Sequence, residues 1–218
     1  MTADDIQRGI ARVGGPNRHP SYLHAYLQAG EHLVSEALAS AKLDELALPI
    51  VYLQRHTVEL LLKRLINWCH DIAKLRAEGS VETWRPTKEQ EGRLTKEHGL
   101  QRLCDDLAEA CAALGHGDVP VALRDLVRSL AAVEGDPTWA RYESRVTKGG
   151  KVRHQDAEAV IPVVSLQRSL RAVVSQTLYN SDAVDESLED RLYSEWRRWE
   201  EGYRASASKP DQFRSVSG

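Results

Sequence analysis

The chain has 218 residues, of which 42% are hydrophobic and 28% are charged, with 29 basic against 32 acidic side chains. This length and apolar content suffice for one domain with its own core, and the composition argues against wholesale disorder. A net charge of −3 excludes a global basic field for nucleic acid and leaves only a local patch. No run approaches the roughly 18 apolar residues of a membrane helix, and the first residues lack the pattern of a secretory signal.

Six segments show helical periodicity and predict an all-α bundle of about five to six helices. In chain order they cover about 20–40, 45–77, 100–114, 120–134, 157–179 and 184–203. The segment 45–77 is apolar over more than half of its circumference, which is typical of a central helix. Two long loops are predicted at 78–97 and 135–157, and Lys148-Gly149-Gly150-Lys151 in the second could turn a small β-hairpin.

The domain organisation follows from the same pattern. Residues 1–18 are rich in Gly and polar side chains and predict a flexible arm. Residues 19–204 predict a single helical domain, and the Ser- and Ala-rich residues 205–218 predict a disordered tail.

The cysteines and histidines give no metal pattern. Cys69, Cys104 and Cys111 are odd in number and lack CxxC spacing, which indicates reduced packing thiols in a cytoplasmic protein. The eight histidines are scattered without supporting carboxylates. We therefore expect no metal and no cofactor.

Four ionisable residues interrupt the apolar central helix. Arg55, Glu59 and Lys63 are spaced by four residues and share one face, and His56 adjoins it. Such groups are costly inside a bundle unless they pair or line a cleft. Two interpretations stay open: an ion-pair network that fixes helix register, or a polar cleft for an anionic ligand in which His56 exchanges protons near neutral pH.

The second predicted loop is the basic part of the chain. Its cations outnumber its acids, which are Asp136, Glu143 and Asp156. The basic residues are Arg141, Arg145, Lys148, Lys151 and Arg153. The pattern fits either a solvated loop or an arm that contacts phosphates.

The run LQRHTVELLLKRLI at 53–66 resembles the central helix of HEPN-like (higher eukaryotes and prokaryotes nucleotide-binding) domains. These often carry Arg-His, then Glu three residues later, then Lys on the next turn. His98-Gly99-Leu100 is similar to the step that opens a later helix of such domains, and Arg141-Tyr142 to a pair before their last long helix. The resemblance spans about residues 20–180.

The resemblance implies a helical bundle, often dimeric, that binds or cleaves RNA or binds nucleotides, commonly in bacterial defence or toxin–antitoxin systems. Its ribonucleases use an Arg and a His with four to six residues between them, and they need no metal. Four stretches match that spacing where chance gives about two: Arg12…His19, Arg18…His24, Arg64…His70 and Arg93…His98. None combines the family's helical context with a polar residue after the Arg.

Three functions follow as alternatives. They are an RNA-cleaving HEPN-like effector, a non-catalytic HEPN-like module that binds RNA, nucleotide or a partner protein, and an assembly subunit whose Trp196 and Trp199 pack on another chain. For the first two, His56 or His98 would carry protons, Arg55 and Lys63 would contact phosphate, and Glu59 would orient them. The remaining ligand contacts would be Arg141, Tyr142, Arg145, Lys148, Lys151 and Arg153. A homodimer mate or another protein of the same system is the expected partner, with no membrane.

Overall fold

A computed structural model describes residues 7–8, 11, 21–133, 144–147, 150–153, 158–178 and 186–207, and for 144–147, 150–153 and 205–207 it describes the backbone alone. This part of the chain is an all-α bundle, which confirms the predicted class. Its helices are α1 (Tyr22–Ala39), α2 (Leu43–Glu78), α3 (Lys88–Lys96), α4 (Leu100–Leu114), α5 (Val121–Val133), α6 (Val163–Thr177) and α7 (Leu188–Ala207).

Two short strands accompany the helices. They are β1 (Ser144–Thr147) and β2 (Gly150–Arg153), which pair antiparallel with Ser144 opposite Arg153 and Thr147 opposite Gly150. Among the described residues, no helix has the length and apolar content needed to cross a bilayer.

The 36-residue helix α2 is the centre of the bundle. It packs against α1, α3, α4, α6 and α7, because apolar side chains cover most of its circumference. Leu61, Leu62 and Leu65 are fully buried in the main core, and Leu103 and Leu107 of α4 face them in the same cluster. A smaller cluster lies where α1 turns into α2. The predicted central helix is therefore confirmed.

Helix α4 begins and ends at the predicted residues. Its last turn closes on Gly115, whose φ of +83° lies in the left-handed region that glycine adopts without a Cβ clash. The His116 amide then donates to the Cys111 carbonyl at 2.8 Å, as in a Schellman cap. At the other end, contacts of Arg55 and Glu59 with His98 hold the loop before α4 beside α2.

The prediction that 78–97 has no helix is wrong, and α3 raises the helix count to seven in the described part of the chain. Thr87 and Gln90 form a reciprocal capping box at its start. Arg93 then holds α3 on α4 through two hydrogen bonds to Asp106, at 2.7 and 2.8 Å. Because polar contacts rather than an apolar stripe dock this helix, hydrophobic periodicity missed it. Thr-x-x-Gln was the available signal.

The bounds of two further helices differ from the prediction. Helix α6 begins at Val163 rather than near 157, with Pro162 ahead of its first turn instead of within it. Helix α7 begins at Leu188 rather than near 184, because Ser187 and Asp190 form a capping pair there. It ends at Ala207 rather than near 203, so it includes the first three residues of the predicted tail 205–218.

Candidate functional site

Three polar side chains of α2 and His98, in the loop before α4, form one hydrogen-bonded group. The Glu59 carboxylate is its centre: Oε2 accepts from Arg55 Nη1 at 3.1 Å and Oε1 accepts from Lys63 Nζ at 2.8 Å. The same Oε1 lies 2.9 Å from Nδ1 of His98. We call Arg55, Glu59, Lys63 and His98 the Glu59 cluster. It unites one face of α2 with a residue 39 positions away in the sequence.

Glu59 is ionised in this setting. Burial by itself would raise its pKa, since the side chain is 5% exposed, but hydrogen bonds and charge from Lys63 and His98 outweigh burial and lower the pKa below its ordinary value. A carboxylate only accepts hydrogen bonds, so the His98 ring holds its proton on Nδ1. Nε2 is then the ring nitrogen of His98 that a ligand would meet.

Arg55 lies on the buried side of the cluster. Its side chain is 4% exposed, and besides Glu59 it donates from Nη2 to the backbone carbonyl of His98. The guanidinium therefore ties the loop before α4 to α2. In this position Arg55 sets the place of His98, and its burial leaves the predicted phosphate contact without support.

The open side of the cluster is formed by Lys63 and His98. The His98 side chain is 45% exposed, and that of Lys63 is 15% exposed. The His98 imidazole and the Lys63 ammonium group thus bond to the same buried carboxylate, and both side chains reach the surface. Chemically, this pair offers a proton carrier and a positive charge to an anion.

His56 belongs to a different environment. Its ring makes an edge contact with Tyr26, at a centroid distance of 4.4 Å, and lies parallel to the ring of Tyr52 at 5.9 Å. The other predicted proton carrier, His98, is hydrogen-bonded to Glu59. His56 as a catalytic residue stays a prediction.

The predicted basic arm lies outside the side chains that the structure describes. Arg141, Tyr142 and Lys148 fall outside the described residues, as do the arm 1–18, apart from 7, 8 and 11, and the tail from 208 onward. For Arg145 and Arg153 and for Lys151 the backbone alone is described, in β1 and β2. Their phosphate contacts stay predictions.

Where both are described, the Arg and His residues that match the family's spacing contact different partners in the fold. Arg64 pairs with Glu189 of α7, and His70 contacts the Trp84 ring. Arg93 is held by Asp106, whereas His98, its partner in the pattern, bonds to Glu59. Arg12, Arg18 and His19 lie outside the described residues. In Arg64…His70 and Arg93…His98, the Arg and the His therefore contact different partners.

Sequence reasoning missed a second buried polar group, at the far end of α2. Glu195 of α7 accepts from Arg76 Nε at 2.7 Å and from Trp199 Nε1 at 3.0 Å. His116 lies 2.9 Å from the other carboxylate oxygen, and burial lowers the pKa of its ring. Arg76 also donates to the Leu114 carbonyl. This group joins the C-terminal ends of α2 and α4 to the middle of α7, and no local sequence pattern predicts it.

The surface also has a cleft whose lining includes no residue of the Glu59 cluster. This cleft of about 510 Å³ lies between the start of α1 and the middle of α2, where Tyr22, Arg64, Asn67 and Trp68 contribute to its lining.

Within the described ranges, no three His, Cys, Asp or Glu side chains come together as metal ligands would.

Comparisons of the chain with family models, with curated proteins and with solved structures gave no match.

Proposed function

We propose that this chain is an HEPN-like protein directed at RNA or nucleotides, and that His98 is its proton carrier in metal-independent RNA cleavage. The observation that supports the proposal is the Glu59–His98 pair. Its imidazole is almost half exposed, while its carboxylate is buried and hydrogen-bonded to two cations. A buried, ionised carboxylate orients an imidazole and stabilises its protonated form, which is what general acid–base catalysis requires.

The residues would divide the work as follows. Nε2 of His98 accepts the proton of a ribose 2′-hydroxyl, whose oxygen attacks the adjacent phosphorus. The bond to the 5′ oxygen of the next nucleotide breaks, leaving a 2′,3′-cyclic phosphate and a 5′-hydroxyl. Lys63 balances charge on the phosphate, Glu59 stabilises the imidazolium, and Arg55 positions His98. The acid that protonates the leaving oxygen would be His98 of a second copy, in keeping with the dimers that the resemblance implies.

A second candidate is a helical module that binds a partner protein or assembles a complex, without catalysis. The observation in its favour is that Arg55 and Glu59 are sealed from solvent and bonded to each other, as a purely structural network would be. In addition, Tyr193 of α7 is 40% exposed and stacks on Trp196. Both candidates agree with the fold, so activity decides between them.

The test is an RNA assay in excess chelator with end-labelled single-stranded RNA. We expect products with 2′,3′-cyclic phosphate and 5′-hydroxyl ends, and no cleavage of DNA of the same sequence, which lacks the 2′-hydroxyl. Thermal stabilisation by RNA without a product would support a binding module in place of an enzyme. If the protein neither cleaves RNA nor is stabilised by RNA or nucleotides, that result would contradict an RNA- or nucleotide-directed function.

A further inference from the structure

Two buried cysteines face each other between the central helix and α4. The Sγ atoms of Cys69 on α2 and Cys111 on α4 lie 4.0 Å apart, and both residues are fully buried. Cys104 lies two turns earlier on α4, about 10 Å along the helix axis from Cys111. Cys69 and Cys111 therefore form a close pair, and Cys104 lies apart from it. The sequence pattern alone does not distinguish the three cysteines.

We propose that Cys69 and Cys111 are a site of covalent modification, at which a small peroxide oxidises their thiols to one disulfide that ties α2 to α4. Bonding requires the sulfurs to approach by about 2 Å. Rotation about the two χ1 angles and a small shift of α4 along α2 would supply this movement. The inference uses neither His98 nor Glu59, so it stands apart from the proposed function.

The chemistry balances with hydrogen peroxide as the oxidant. The Cys111 thiolate attacks one peroxide oxygen, the O–O bond breaks, and the leaving hydroxide takes up the proton that this thiol released. The Cys69 sulfur then attacks the sulfenic sulfur of Cys111: the S–S bond forms, the S–O bond breaks, and a second water leaves with the Cys69 proton. The two thiols lose two electrons together, and one peroxide becomes two waters.

The surroundings favour this order of events and this pair. The contact with Cys69 lowers the pKa of the Cys111 thiol, because a Cys111 thiolate accepts a hydrogen bond from its neighbour. Burial instead raises the pKa of Cys104 to about 11, which keeps that thiol protonated and unreactive. Since the pair is buried, the peroxide enters through local opening of the helices, and the reaction is slow.

The test treats the folded chain with hydrogen peroxide, removes the excess with catalase, and unfolds the protein in an alkylating reagent. We expect intact mass to fall by two hydrogen atoms before alkylation, one alkylated thiol at Cys104, and a Cys69–Cys111 cross-linked peptide. Dithiothreitol should restore three alkylatable thiols. Chain unfolded in urea before oxidation provides the reference, because there all three pairings can form.

Matched variants locate the bridge. Cys104→Ala should give the same cross-link with no alkylatable thiol left, while Cys69→Ala and Cys111→Ala should give no internal bridge. The peptide map of the parent protein decides the question even where a variant fails to fold. Three alkylatable thiols after oxidation, a bridge that includes Cys104, oxidation that stops at sulfinic acid, or the mixture of pairings found in urea would each overturn the proposal.

Discussion

Replacing Glu59 with alanine is expected to lower the free energy of unfolding by about 3–5 kcal/mol, the range for breaking a buried ion pair from one side. The substitution removes the buried carboxylate that accepts from Arg55, Lys63 and His98. Denaturant unfolding at neutral pH, followed by circular dichroism, measures the loss. Glu36→Ala removes an exposed carboxylate from α1 and should change stability by no more than about 0.5 kcal/mol.

The pH dependence of this loss identifies its electrostatic origin. The folded pKa of Glu59 is lowered, so its contribution is complete above the unfolded value of about 4.3 and is lost as the pH falls through the lower, folded value. The stability difference between the parent and Glu59→Gln should therefore shrink in acid. A Glu59→Ala protein as stable as the Glu36→Ala control, or a difference that grows as the pH falls, would contradict an ionised Glu59 at the centre of the cluster.

Replacing His98 with alanine is expected to reduce RNA cleavage by about 10²–10⁴-fold, which is the usual contribution of one general acid or base. The fold should persist, because the backbone carbonyl that accepts from Arg55 is retained. Initial rates with labelled RNA measure the effect, and melting curves confirm folding. Added imidazole should restore part of the activity, which a purely structural role of His98 would not allow.

The control for this variant is His32→Ala, which removes an exposed histidine from α1. It should cleave RNA at the parent rate. A folded His98→Ala protein that also keeps the parent rate would rule out His98 as the proton carrier. His56→Ala is the next variant in that case, because His56 was the other predicted carrier.

Local sequence patterns were sufficient for most of the bundle. The periodicity of 45–77 and 100–114 placed α2 and α4 to within two residues, because their apolar faces are buried over most of each helix. Helix α3 was missed because its nine residues are held by capping and by Arg93–Asp106, a contact that hydropathy does not report.

The candidate site could be predicted only in part. The shared face of Arg55, Glu59 and Lys63 follows from helical spacing, and in the structure Arg55 and Lys63 both bond to Glu59. The bond between Glu59 and His98 depends on how α4 docks on α2, which no local pattern encodes. The burial of Arg55 depends on the same docking, so its predicted place at the phosphate could not be judged from the sequence.

The most direct test of the account is whether RNA meets His98 in solution. Protein labelled with nitrogen-15 at histidine would be titrated with single-stranded 2′-O-methyl RNA, which binds like RNA but lacks the hydroxyl needed for cleavage. We expect the ring nitrogen signals of His98 to shift in proportion to bound RNA, while those of His32 stay in place. Unchanged His98 signals at saturating RNA would contradict the assignment of the Glu59 cluster as the RNA site.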